Sequence, residues 1–176
     1  MESSEIYAGP EPHIEVHKYY PGVVPLAVVL SLVLQVFLPV HVSWANYLEL
    51  PLLVTIYFAL SKRNPSSGLL LGMAIGLLQD SLTPGTPIGL YGIAKTLVGY
   101  GGSTIGSRLD VEHPIARFML TIMFYLLHHV IFALTKHALL NQQETYVTLP
   151  IFIAAGANAM IAVGFFTFLD RFRRQS

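Results

Sequence analysis

The sequence predicts an all-α membrane protein with six transmembrane helices in one bundle. Three observations carry that prediction. Hydrophobic residues make up 53% of the 176-residue chain and charged residues only 11%, against about 25% charged in soluble domains. Apolar runs alternate with short polar breaks, the pattern of a chain whose solvent is lipid. Lysine and arginine recur in every second break, as short cytoplasmic loops require.

The elements follow in order. Residues 1–22 open with MESSEIYAGPEPHIEVHKYY, which has neither the apolar core nor the cleavage site of a signal peptide. They read as a polar, partly disordered cytoplasmic tail, so the first span is the expected insertion signal. The transmembrane domain is expected over 23–170, with spans at about Val23–Val42, Tyr47–Leu60, Ser67–Leu82, Ile88–Ile105, Pro114–Lys136 and Leu149–Leu169. Spans two and three fall short of the ~20 residues that cross a bilayer core. Local thinning, interfacial anchoring by Trp44 and Tyr47, or shielding by neighbours would accommodate them. Pro51 suits a first-turn position. Residues 171–176 form a basic cytoplasmic end.

Orientation follows from the loops. Lys62 and Arg63 follow span two, Arg108 and Arg117 flank the fourth loop, and Arg171, Arg173 and Arg174 follow span six. The odd-numbered loops are nearly bare. Both termini are therefore expected in the cytoplasm.

Span three carries Gly68, Gly72 and Gly76 at four-residue spacing. Span four carries Gly92, Gly99 and Gly106 on a seven-residue repeat, and span six carries Gly156 and Gly164. Small residues on one face admit a second helix closely. That helix is either a neighbour in the same bundle or the helix of a partner.

The stretch GLLQDSLTPGTPIGLYGIAKT joins spans three and four through a rigid turn containing Pro84, Gly85 and Pro87. It holds an acid, Asp80, and a base, Lys95. Intramembrane charges are costly and usually paired in the interior. The expectation is an Asp80–Lys95 ion pair or polar network locking the hairpin, with the lysine reaching outward. The alternative is that the two line a ligand pocket.

Catalytic constellations do not assemble. Asp80 and Asp110 fall on opposite sides of the membrane, so an aspartyl dyad is excluded, and no spacing supports Glu49 meeting Asp80. His128 and His129 point about 100° apart on a helix and do not share a metal easily. There is no H-E-x-x-H motif. GYGG at 99–102 lacks the strand and lysine of a phosphate loop. No catalytic residue, metal or cofactor is expected. A neutral chain without a basic patch argues against nucleic acid, and the absence of cysteine excludes disulfides and thiolate sites.

The segment from Leu48 to Gly106 resembles the rod-shape-determining protein MreD family. GLLQD, the short turn and PIGLYGIAKTLVGY carry the resemblance, backed by the preceding KRNP loop. The resemblance implies a bacterial inner-membrane scaffold of the cell-wall elongation machinery, without enzymatic activity. Its expected partner is a single-span MreC-like protein, alongside MreB, RodA and a penicillin-binding transpeptidase. It also implies a fold similar to the S component of energy-coupling-factor vitamin transporters. In that second reading Asp80, Lys95, His41 and Asn158 are candidate ligand contacts, and the KHALLNQQETYVT loop is a candidate lid.

Overall fold

The structure, a computed structural model, describes residues 19–20, 22–109, 111–142 and 148–173. The expected N-terminal tail therefore lies almost wholly outside the described residues, as do Asp110, 143–147 of the candidate lid, and 174–176. Among the described residues, six helices account for nearly all regular structure: α1 (Val23–His41), α2 (Leu50–Lys62), α3 (Pro65–Leu82), α4 (Leu90–Gly106), α5 (Pro114–Leu140) and α6 (Leu149–Asp170), with a 3₁₀ turn at Ser43–Tyr47. Proline stands in the first turn of α2, α3, α5 and α6, where its missing N–H costs nothing. The Asn64 side chain caps α3 by accepting from the Ser67 N–H at 3.1 Å. Helix α5 runs on through Leu140, so the candidate lid is shorter than its sequence suggests.

Three helices, α1, α5 and α6, are long and apolar enough to cross a membrane. Much of their surface is greasy: Leu26, Val40, Ile115, Ile153 and Met160 are each at least 65% exposed. Helix α2 differs. It has 13 residues, and everything from Pro51 to Ser61 is buried. It packs against each of the other five helices. Shielding by neighbours, rather than thinning or anchoring, is how this short element is accommodated. It is the axis of the bundle.

Helices α3 and α4 are the most intimately packed pair, and the glycines explain why. A side chain at Gly68 would run into the Ser103 hydroxyl and the Gly99 carbonyl. One at Gly72 would meet the Lys95 carbonyl, and one at Gly76 the backbone of Tyr91 and Gly92. Gly99 lies against Gly68 in return. Gly92 is looser, with Leu77 as its nearest neighbour. The glycine face of α3 is therefore filled by α4, and the alternative of a partner helix on it is corrected. The seven-residue repeat on α4 also divides, since Gly106 abuts Leu60 of α2 rather than α3. Gly156 and Gly164 of α6 face open space.

Candidate functional site

The turn between α3 and α4 gathers polar groups at one end of the bundle. Gly85 has φ +76° and Gly89 has φ +114°, both in the left-handed region that glycine occupies freely. Pro84 and Pro87 stiffen the intervening chain. This geometry folds the start of α4 back over the last turn of α3, where Asp80 is 2% exposed. Asp80 Oδ2 accepts from the N–H groups of Gly89 at 2.9 Å and Gly92 at 3.0 Å, and Oδ1 accepts from Tyr91 at 3.0 Å. The carboxylate thus caps α4 from the preceding helix, where free N–H groups and the helix dipole favour an anion.

The expected Asp80–Lys95 ion pair is not formed. The offset decides it: three N–H donors sit beside Asp80, whereas Lys95 lies more than a turn deeper. Lys95 is wholly buried. Its ammonium lies 4.8 Å from the centre of the Tyr91 ring. It donates to Glu49 Oε2 at 3.4 Å and approaches His128 Nε2 at 3.3 Å. Glu49 also receives Gln79 Nε2 at 3.4 Å. Acid and base thus have separate partners: Asp80 is held by backbone N–H groups of α4 and the turn before it, and Lys95 by Glu49 and His128.

Around this centre, side chains hold the entry to α2. Asn158 of α6 accepts from the Glu49 N–H at 3.0 Å and donates to the Tyr47 carbonyl at 2.7 Å. Gln35 of α1 donates to Leu48 O at 2.8 Å and accepts from Leu50 N–H at 2.9 Å. Tyr125 of α5 donates to Tyr47 O at 3.2 Å. Three helices therefore fix the segment that presents Glu49.

Above the network lies a cavity of about 360 Å³. Gln35, Asn46, Glu49, Gln79, Thr83 and Tyr91 are among its lining residues. Of the candidate ligand contacts, none lines it: Asp80, Lys95 and Asn158 are committed to protein partners, and His41 is exposed, bonded to Phe37 O. His129 Nδ1 bonds to Tyr125 O, and its ring meets the His128 ring edge-on at 5.5 Å. Gln79 was not singled out from the sequence, while Glu49 and His128 entered that reading only as a partner for Asp80 and as half of a metal pair. The available signal was that Glu49 is the single acid between Val16 and Leu78, one helix away from an intramembrane lysine.

The opposite end carries a second cluster. Asp170 Oδ2 pairs with Arg117 Nη1 at 2.6 Å, and Oδ1 pairs with Arg173 Nη2 at 2.8 Å and accepts from the Tyr57 hydroxyl at 2.9 Å. Arg173 also reaches Glu112 at 2.9 Å. Lys62 ends α2, and Arg63, Arg108 and Arg171 follow helices that end on this side.

No curated protein and no solved structure matches the chain. The family model described as rod shape-determining protein MreD matches residues 17–172, nearly the whole of this helical membrane chain, and the protein belongs to that family.

Proposed function

We propose that the protein is a non-enzymatic scaffold of the bacterial cell-wall elongation machinery, and that it seats the extracytoplasmic stem of an MreC-like single-span partner in the cavity beside the α3–α4 turn. Six helices cross the inner membrane, with both termini in the cytoplasm. MreB, RodA and a penicillin-binding transpeptidase are the wider assembly. The observation that carries the reading is a polar-floored cavity at the end of the bundle opposite the arginines. Basic residues favour the cytoplasmic side, which turns the cavity outward. The residues below it are spent bracing helices rather than assembling a nucleophile or an acid–base pair.

Val36 lines the cavity from α1 and is 44% exposed, so Val36→Trp fills the space without entering the core. Purification from native membranes in mild detergent tests the reading. A single-span MreC-like protein is expected with the wild-type chain, and its recovery is expected to fall at least about tenfold with Val36→Trp at unchanged abundance. Equal recovery from both would refute the seat.

A second reading, an S component of a vitamin importer, draws on the same cavity, whose size falls at the lower end of small-ligand sites. Its four candidate contacts lie outside the lining, which disfavours it. Co-purification of paired ATPases with a large membrane subunit would select it instead.

A further inference from the structure

The floor of the cavity has more acceptors than donors. Gln79 is 4% exposed and lines the cavity. Its amide nitrogen points at Glu49 Oε2, while its carbonyl oxygen is buried without a donor. Flipping the amide would set two oxygens 3.4 Å apart, so the orientation follows from the network. Lys95 and Gln79 both approach the same Glu49 oxygen, each at 3.4 Å. Both are longer than a charge-assisted bond of about 2.7–2.9 Å. The other oxygen, Oε1, has no donor among the hydrogen bonds of the described residues. The only charged residue in the lining is Glu49. Helix α3 ends at the cavity, with Leu82 and Thr83 in its wall, and a helix C-terminus favours positive charge. Among the described residues the nearby cation is Lys95, which lies beneath the floor and is wholly buried. Asp80, the other nearby acid, is already satisfied by three N–H groups.

We infer that the cavity receives a cationic hydrogen-bond donor, an ammonium or guanidinium group, held by the Glu49 carboxylate and the Gln79 carbonyl. This rests on the cavity being a seat, as proposed above, and names the chemistry of what enters. The cation belongs either to a basic side chain of the partner's stem or to a free small amine. An anionic group would be repelled by Glu49 and a neutral donor would meet it without charge assistance, whereas a cation with several donors matches both acceptors and the carboxylate's charge.

The test uses the full chain in lipid nanodiscs, with N-butylguanidinium as probe and N-butylurea as its neutral isostere. Trp44, the sole tryptophan, lies in the 3₁₀ turn two residues before the cavity residue Asn46 and reports binding by fluorescence. The guanidinium is expected to bind at least about tenfold more tightly than the urea. Glu49→Gln is expected to reduce that preference to within about twofold. Gln79→Leu, which changes no charge, is expected to weaken the guanidinium about threefold or more and carries the test if Glu49→Gln does not fold. Equal wild-type affinity for both probes overturns the inference, as does unchanged guanidinium affinity in folded Gln79→Leu. A synthetic stem peptide that displaces the guanidinium, and fails to do so when its arginines are citrulline and its lysines norleucine, assigns the cation to the partner. Retained guanidinium in the presence of the peptide assigns it to a small amine and counts against the seat. A peptide that binds with no preference between guanidinium and urea leaves the scaffold reading standing and removes this one.

Discussion

The two ends of the bundle solve the same problem, buried charge, in opposite ways. At the arginine end, Asp170 is met on both oxygens by Arg117, Arg173 and Tyr57 at 2.6–2.9 Å. At the cavity end, Glu49 is approached by Lys95 and Gln79 at 3.4 Å on one oxygen only. The Gln79 carbonyl and His128 Nδ1 have no partner. The first arrangement satisfies both oxygens of its carboxylate and ties α2, α5 and α6 together, although Arg173 Nε is buried without a partner among the described residues. The second is held open by braces on its backbone while its side-chain acceptors stay unmatched. Buried polar groups left unsatisfied are costly, and their persistence beside a cavity marks the end built for recognition.

What joins the two ends is the α3–α4 seam, and breaking it gives the largest expected effect. Gly72→Leu would drive a side chain into the Lys95 carbonyl, where backbone lies against backbone. The helices must separate, which moves both Lys95 and the Asp80 cap. Loss of monodisperse protein is expected in size-exclusion chromatography, with both ends failing together. A Gly72→Leu chain with wild-type elution and melting would disprove the tightness of the seam. Gly156→Leu, on an open face of α6, is the matched control.

Much of this architecture was legible in the sequence. Helix existence and most boundaries followed from apolar runs and from proline and glycine placement. The glycine spacing on α3 pointed correctly to close approach, because four-residue spacing keeps one face clear. The occupant of that face was not legible, since a bundle neighbour and a foreign helix need the same gap. The site was read only in part. Asp80 and Lys95 were singled out as charges that lipid would not tolerate unpaired, and both are buried, each with its own partners. Their partners were missed because the nearest opposite charge in sequence was taken as the nearest in space. Three backbone N–H groups capture Asp80, which no side-chain pairing rule reveals. Exchanging Asp80 and Lys95 would set an ammonium against those N–H donors, so rescue by exchange is not expected. The Arg117–Asp170–Arg173 cluster joins residues 53 or more positions apart or at the very end of the chain; sequence shows its charges without their meeting.

The next effect contrasts the two ends directly. Asp170→Asn removes the common partner of two arginines. It is expected to cost about 2–3 kcal/mol, less than the ~3–5 of a fully buried pair because a quarter of the Asp170 side chain is exposed. Lys95→Met replaces a desolvated ammonium with an apolar chain of similar length, and it leaves Glu49 beside the cavity. Its expected cost is about 1–2 kcal/mol, below the ~3–5 of breaking a short buried pair, since the ion pair it removes is long, the ammonium's burial penalty disappears with it, and the Glu49 left behind lines the cavity. Thermal unfolding in one detergent, reported by Trp44 and by helical circular dichroism, separates the two. A larger loss for Lys95→Met would reverse the comparison and make the cavity end the structural lock.

The smallest expected change in stability is the most informative. Gln79→Leu deletes an amide whose carbonyl is buried without a donor and whose nitrogen makes one 3.4 Å contact. Glu49 loses only a 3.4 Å contact and keeps Lys95, while the buried carbonyl without a donor is removed from the interior, so the balance is neutral or favourable. The empty protein is therefore expected to gain up to about 1 kcal/mol. Partner recovery is expected to fall, because the same oxygen is the acceptor offered to what enters the cavity. A residue kept only for packing would move both readouts in one direction. A residue kept for recognition moves them apart, as sites that trade stability for function do. Gln79→Leu that lowers the melting temperature and the partner recovery together would place Gln79 among the braces, with Asn158 and Gln35, and leave Glu49 as the only group in the lining reserved for recognition.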